Sequence, residues 1–300
     1  EPGEVGPIEV QFANGVVDLR VGDDVEAVAA AKRYLSYFRG PIEPAQPQDQ
    51  RTLQNLIPTN RKRIYDVRAV IEQLLDDVFE LRRGFGHGMV TALARVDGKP
   101  LGVIANDPTH LGGAIDAHGA DKASRFMQLC DSFHLPILFL CDTPGFMVGP
   151  AAERTATVRH FARMFVTGAN LTVPTGTIVL RKGYGLGAQA MAAGGFKAPL
   201  FVVGWPTSEF GGMGLEGAVR LGMRRELEAI ADPDERERAF EATVAAAYER
   251  GEGINMAAYG EIDDVIDPAD SRRWISTLLD EPSGQWWTRP GKRRPNVDAW

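Results

Sequence analysis

Glycines gather where apolar, strand-like runs give way to helix-like ones: Gly112-Gly113, Gly145, Gly183/Gly185/Gly187 and Gly211/Gly212/Gly214. The first backbone N–H groups of a helix have no intrahelical partner, and the helix dipole adds positive potential at the same end. Such a junction holds an anion, or an oxyanion that develops during a reaction. Glycine lets a ligand approach the backbone and permits dihedrals that point two amides the same way. A tight βα turn explains any one of these pairs equally well. Their recurrence within one domain points to a site built from backbone amides.

More familiar chemistry finds little support. Gly183-x-Gly185-x-Gly187 lacks the spacing of a dinucleotide fingerprint, and no acidic residue ends the following strand. Asp142-x-x-Gly145 resembles a GTPase switch element, yet no phosphate-binding G-x-x-x-x-G-K-[S/T] loop occurs, nor a G-x-S-x-G nucleophile elbow. His87, His110, His118, His134 and His160 show no metal-ligand spacing, so no metal is expected. Cys141 ends an apolar run and reads as a small core residue; with Cys130 it makes no disulfide framework, which suits a reducing cytoplasm. Arg289, Lys292, Arg293 and Arg294 form a basic tail, either solvated or touching a phosphate. Glu209 and Glu216 flank Phe210–Leu215 but are equally explained as helix-start charges. What remains is oxyanion-type loops with no convincing acid, base or nucleophile. That fits chemistry in which the substrate or cofactor supplies the base and the protein stabilises enolate-like charge.

These loops need a frame. Helix periodicity appears over Val25–Phe38, with Val25, Val28, Ala29, Ala31 and Leu35 apolar, and again from Asp66, a candidate N-cap, through Val67, Val70, Ile71, Leu74, Leu75 and Val78. Between them, Pro41, Pro44 and Pro47 with polar filler read as a linker. Met89–Val96 and Pro100–Ala105 read as strands joined by an Asp97-Gly98 hairpin turn. Then helices and short apolar strands alternate: a helix over Asp121–Phe133, strand Ile137–Cys141, a helix with Val158, Phe161, Ala162, Phe165 and Val166 on one face, strand Thr177–Leu180, the loop Arg181–Gly187 opening into an Ala-rich helix, and strand Leu200–Gly204. Strands without polar alternation predict a sheet buried on both faces, in the α/β class. Asp232-Pro233-Asp234-Glu235 opens a helix ending near Gly251, and Ser271–Leu279 reads as a last amphipathic helix before a loosely ordered Trp- and Arg-rich tail.

The chain has 300 residues, 44% of them hydrophobic, and a formal net charge of −7. That balance suits small-molecule or protein partners and argues against a general binder of nucleic acid or of anionic membrane. No apolar run reaches the roughly 18 residues of a membrane span. Glu1-Pro2-Gly3-Glu4 lacks an initiator Met and the pattern of a secretory signal, so a processed product or a piece of a longer reading frame is expected.

Tyr65-Asp66-Val67-Arg68, Gly102-Val103-Ile104-Ala105-Asn106, Asp121-Lys122-Ala123-x-Arg125-Phe126, Asp142-Thr143-Pro144-Gly145-Phe146, Arg181-Lys182-Gly183-Tyr184-Gly185 and Trp205-Pro206-Thr207 stand in that order. Together they resemble the C-terminal half of the carboxyltransferase component of biotin-dependent acyl-CoA carboxylases, the acetyl-, propionyl- and methylcrotonyl-CoA carboxylase family. The resemblance runs from about Leu56 to Leu279, and Glu4–Phe38 resembles the end of that family's N-terminal half.

The resemblance implies a crotonase-like α/β fold, a ββα spiral, and a division into 1–40 (the tail of the preceding half), 41–55 (linker), 56–280 (the C-terminal carboxyltransferase domain) and 281–300 (tail). It implies carboxyl transfer from carboxybiotin to an acyl-CoA, with the biotin anion as base. The backbone amides of Leu186 and Gly187 would form the biotin-side oxyanion hole, and Gly185, Leu186 and Gly187 would contact biotin. Relatives usually carry Gly-Gly-Ala where this chain has Gly185-Leu186-Gly187. Gln189 falls where relatives vary with the acyl group, a candidate selectivity residue; Gly113, Gly145 and Gly214 are candidates to line the cleft. Implied partners are a biotin carboxyl carrier domain, a biotin carboxylase component, the N-terminal carboxyltransferase half and further copies of the chain. A fragment lacking the acyl-CoA half is expected to be inactive alone. Rival readings are a biotin-dependent decarboxylase subunit, an enoyl-CoA hydratase or isomerase on the same fold, and a non-catalytic docking module.

Overall fold

A computed structural model of the chain describes residues 4–279 and 296–298. The first elements are two helices, α1 (Ile8–Ala13) and α2 (Asp24–Ser36), the second capped by Asp23. The expected helix is present, but the face chosen from its apolar residues turns outward: Val25 is 78% exposed, and Val28 and Leu35 are exposed too. Tyr34 and Tyr37 pack inward instead, and the Tyr37 hydroxyl donates to the Asp77 carbonyl oxygen. The proline-rich stretch 40–49 forms no regular element; its Ile42 N–H donates to the Gly98 carbonyl oxygen.

Helix α3 (Val67–Leu74) starts at Asp66, whose carboxylate accepts from the Arg68 N–H. The helical stripe in the sequence runs on to Val78, yet the helix stops at Leu74. Leu75 is extended and Asp76–Leu81 becomes strand β1, paired antiparallel with β2 (Met89–Val96). Here pairing with a distant strand overrides local periodicity. Strand β3 (Lys99–Asn106) completes the expected hairpin; Asp97 and Gly98 both have positive φ, as a type I′ turn requires.

Helix α4 (Ala117–Ser132) begins four residues before the expected Asp121, because the Asp116 carboxylate caps it by accepting from the Gly119 N–H. Strand β4 (Ile137–Thr143), helices α5 (Pro150–Arg154) and α6 (Thr157–Ala169), strand β5 (Thr175–Tyr184) and helix α7 (Gly185–Ala190) follow. On α6 the sequence stripe is only partly right: Phe161 is buried and Phe165 half-buried, while Val158, Ala162 and Val166 are exposed and Met164, outside the stripe, is buried. After β6 (Phe201–Gly204) and β7 (Glu209–Gly211) come α8 (Leu215–Gly222), α9 (Arg224–Ala229), α10 (Pro233–Arg250), α11 (Gly253–Ala258), β8 (Asp264–Val265) and α12 (Ser271–Leu279). Arg181–Tyr184, expected as loop, belong to β5, because Lys182, Gly183 and Tyr184 pair with β7. Most of the tail, including Arg289, Lys292, Arg293 and Arg294, lies outside the described residues.

The strands form one sheet in the order β1-β2-β3-β4-β5-β6-β8, with β7 paired to the end of β5. Its first three strands are antiparallel and the rest parallel. Ile137, Phe139 and Cys141 join the core under α4 and α6; Leu138 and Leu140 join the opposite core, with Val70 and Leu74 of α3, Trp205, and Leu278 of α12. Two covered faces explain strands without polar alternation. Arg272 of α12 closes the second face by binding Asp76 of β1 and Asp97 of the hairpin turn.

One cation of α4 points inside. Lys122 is 1% exposed and donates to the Phe85 carbonyl oxygen at 2.9 Å. Burial, opposed by Glu80, lowers its pKa from 10.5 to about 7. Between about pH 7 and pH 10 the unfolded chain holds this proton and the folded chain does not. The contribution of Lys122 to stability therefore rises with pH across that window, by at most about 1.4 kcal/mol per pH unit. Urea denaturation of the wild type and Lys122→Met across that range is expected to show this slope in the difference between the two proteins.

Candidate functional site

Strand β4 ends in a carboxylate with no solvent contact. Asp142 is 0% exposed, and its Oδ2 accepts from the Tyr65 hydroxyl (2.8 Å) and from Arg181 Nε (3.1 Å). Its Oδ1 accepts from the Lys182 backbone N–H at 3.1 Å, with Lys182 Nζ 3.6 Å away. The Asp142 N–H donates to Asn106 Oδ1, and Arg181 Nη1 donates to the Arg63 carbonyl oxygen. Buried charges persist only when paired and fully hydrogen-bonded, and this one is. Burial, then the neighbouring Asp142, push the Tyr65 phenol far up, so it stays a hydrogen-bond donor. Close by, Arg68 bridges Glu80 and Asp107, fixing the start of α3 to β1 and to the exit of β3.

The sequence shows Tyr65, Asn106, Asp142, Arg181 and Lys182 only as pieces of separate motifs. Their one advance signal is a charge following an apolar run: Asp142 after Ile137–Cys141, and Arg181-Lys182 after Thr177–Leu180.

Around this carboxylate the glycine loops close on one another. Lys182 Nζ donates to the Gly112 carbonyl oxygen, and Gly113 leaves no room for a side chain: a Cβ there would stand 2.2 Å from the Asp142 carbonyl oxygen. Gly145 donates its N–H to Thr143 Oγ1 and accepts from the Ile115 N–H. Gly187 lies directly against it: a Cβ on Gly187 would be 2.7 Å from Gly145 Cα. Gly185 backs onto the Gly212 carbonyl oxygen. The structure thus brings Gly113, Gly145, Gly185 and Gly187 together. Gly214, the residue before α8, has open space about it, and Gly183 lies within β5 against Phe210.

Because α7 starts at Gly185, the N–H groups of Leu186 and Gly187 belong to its first turn and lack intrahelical partners. The Leu186 side chain is 61% exposed, and Gln189, one turn later, is exposed as well. The other chemical candidates are engaged elsewhere. Glu209 accepts from the Tyr184 hydroxyl and pairs with Arg61, and Glu216 accepts from the Tyr248 hydroxyl. They do not offer the free carboxylate pair that a hydratase needs. Burial pushes the thiols of Cys130 and Cys141 up, away from reactivity. His110 and His160 are paired to Asp116 and Asp121. Among the described residues no group of His, Cys, Asp and Glu is placed to hold a metal ion, and no helix is long and apolar enough to cross a membrane.

The carboxyl transferase domain family matches residues 5–294. The chain belongs to it. Among curated relatives, the methylmalonyl-CoA carboxyltransferase 12S subunit of Propionibacterium freudenreichii subsp. shermanii is 36% identical over 308 aligned positions, 98% of this chain and 57% of that protein. A solved structure of a single-chain, multi-domain long-chain acyl-CoA carboxylase superposes with a TM-score of 0.86 at 57% identity, covering 93% of this chain and 27% of that one. The transcarboxylase 12S crystal structure, a hexamer with methylmalonyl-CoA bound, superposes with a TM-score of 0.85 at 34% identity, covering 98% and 58%. The fold is therefore the crotonase-like α/β fold of the carboxyl transferases. The chain spans about half the length of the curated relatives it matches.

In this carboxyl transferase domain the Asp142 cluster is expected to dominate local stability. Asp142→Ala strands the Arg181 charge and costs about 3–5 kcal/mol, whereas Tyr65→Phe removes one hydrogen bond and costs about 1 kcal/mol. Denaturant titration of both variants checks the ranking, and equal losses would contradict it.

Proposed function

We propose that this chain is the C-terminal half of a carboxyltransferase that moves a carboxyl group from carboxybiotin to an acyl-CoA, and that the N–H groups of Leu186 and Gly187 form the biotin-side oxyanion hole. The observation that carries this reading is the first turn of α7 lodged against Gly145, with the carboxylates of Asp142 and Glu209 already engaged. Such a site stabilises negative charge and supplies no proton acceptor of its own. Carboxybiotin, when bound, supplies the carboxyl group and then the base. The protein's part is to hold the ureido oxygen with two amides, with Gly185 allowing close approach. The fit is direct, since a planar amide oxygen needs donors rather than a particular side chain, and Leu186 can stand where relatives have Gly.

Gln189, exposed one turn beyond the amides, is proposed to touch the acyl group and set selectivity. Gly113 and Gly145 are proposed to line the cleft, with Gly214 at its margin. The division into 1–40, 41–55, 56–280 and 281–300 is proposed to follow the family. Support for a missing N-terminal half comes from the chain's share of its relatives' length and from the outward apolar face of α2. The partners proposed are that half, a biotin carboxyl carrier domain, a biotin carboxylase component and further copies of the chain, as in the 12S hexamer. The acyl-CoA is of the class named for the relatives, from methylmalonyl to long-chain. Two buried thiols without a disulfide suit a cytoplasmic setting. Alone, the chain is proposed to be inactive.

Co-expression with the upstream half, followed by assay with biotin and short-, branched- and long-chain acyl-CoA, is expected to give a carboxylated acyl-CoA. No biotin-dependent product from any of them overturns the reading. Leu186→Pro removes one first-turn amide at an exposed position and is expected to lower turnover about 100-fold or more, with circular dichroism unchanged. Unchanged turnover would remove Leu186 from the oxyanion hole.

A further inference from the structure

Glu209 takes no part in that chemistry, yet it is a carboxylate only 6% exposed, on the strand beside the entry to α7. Its Oε1 accepts from the Tyr184 hydroxyl at 2.6 Å, and Tyr184 is the residue immediately before Gly185. Its Oε2 stands 3.3 Å from Arg61 Nε. The Arg61 guanidinium lies over the Tyr248 ring of α10, 3.7 Å from its centroid, and the Tyr248 hydroxyl donates to Glu216 Oε1 in α8 at 2.9 Å. A continuous line of side chains thus runs from α8 and α10 to the first turn of α7. Burial, then the Glu209 carboxylate, push the Tyr184 phenol far up, so it donates at any working pH.

The same line ends at the root of an excursion. Helices α8, α9 and α10 leave the sheet after β7 and return beside it: the Phe210 N–H donates to the Gly251 carbonyl oxygen, the Gly253 N–H donates to the Ser208 carbonyl oxygen, and Glu209 bridges antiparallel to Glu252. Within the three helices only Leu215, Val219 and Phe240 are buried. The excursion is anchored mainly at its base, and Glu209 sits in that base. An ion pair whose arginine is half exposed, as Arg61 is, contributes little to stability by itself. What the carboxylate adds is direction: it accepts from β5 on one oxygen and faces Arg61 on the other.

We infer that Glu209 and Tyr184 are positioning residues, which through Arg61 tie the placement of the α8–α10 excursion to the orientation of the first turn of α7. The inference rests on the oxyanion role proposed above for the Leu186 and Gly187 amides. Donors to a developing oxyanion work only within a few tenths of an ångström, and a misplacement of about 1 Å can cost about 100-fold in rate. The tie therefore acts on turnover.

The test uses the assembled enzyme and the variants Tyr184→Phe, Arg61→Gln and Arg61→Lys, each assayed well below its melting temperature. Tyr184→Phe and Arg61→Gln are expected to lower kcat about tenfold, with the KM for acyl-CoA held within about twofold, and Arg61→Lys to recover part of the loss. Hydrogen exchange is expected to quicken at the Gln189–Met191 amides while those of β4 and β5 keep their protection. Unchanged kcat in both disrupting variants overturns the inference, and so does exchange that quickens evenly across the sheet, the mark of a purely structural role. A wild-type assembly without carboxyl transfer overturns the proposed function instead, and the exchange pattern then still decides whether the line of contacts holds α7.

Discussion

The carboxylate of Asp142 organises this end of the molecule. It sits at the exit of β4, and it takes hydrogen bonds from Tyr65, ahead of α3, and from Arg181 and Lys182 on the neighbouring strand. Stranding any of these charges would cost several kcal/mol, so the exits of β3, β4 and β5 are held in one arrangement. The glycine loops hang from those exits. Gly113 packs on the Asp142 backbone itself, Gly145 follows three residues later, and the Gly112 carbonyl is held by Lys182 Nζ. The polar cluster is a framework, and the amides it places are the proposed chemical groups.

This division of labour extends to the other motifs of the sequence. Arg68 ties α3 to Glu80 and Asp107, Lys122 holds the Phe85 carbonyl, Trp205 Nε1 donates to Ser271 Oγ, and the Thr207 hydroxyl donates to the Leu180 carbonyl. These side chains position backbone, while the proposed donors are N–H groups that any residue but proline carries. A change from Gly to Leu at position 186 is then tolerable. In this chain Gly187 lies flat against Gly145, where a Cβ would stand 2.7 Å from the Gly145 Cα.

Local chemistry was legible. The Asp97-Gly98 turn, the Asp66 cap, the Asp232 cap and the bounds of α12 follow from residues that touch their near neighbours in sequence. What escaped depends on distant partners. Leu75 and Val78 continue a helical period, and only pairing with β2 turns that stretch into β1. Arg181–Tyr184 read as loop because β7, which makes them strand, comes 25 residues later along the chain, the separation of Tyr184 from Glu209. In α2 the most apolar residues face outward, so composition chose the wrong side. For the site, the glycines announced a backbone-built centre, but which of them meet was decided by contacts that link residues 39 to 118 positions apart.

The reach of Arg272 has a consequence for how the polypeptide is made. Its guanidinium joins the last described helix to the first strand and to the hairpin turn, 196 and 175 positions earlier. On a ribosome, α3 and β1 to β3 emerge with one face only partly covered, and the residues of α12 that complete the cover arrive well after them. That face, carrying Val90, Val103, Leu138 and Ile178, is covered early by Val70 and Leu74 of α3, and its cover is completed only by Ile275 and Leu278 of α12. Such delayed, long-range closure slows folding and leaves sticky intermediates. A truncation before Ser271 would remove Ile275, Leu278 and Arg272 and leave that part of the face uncovered in the finished fold.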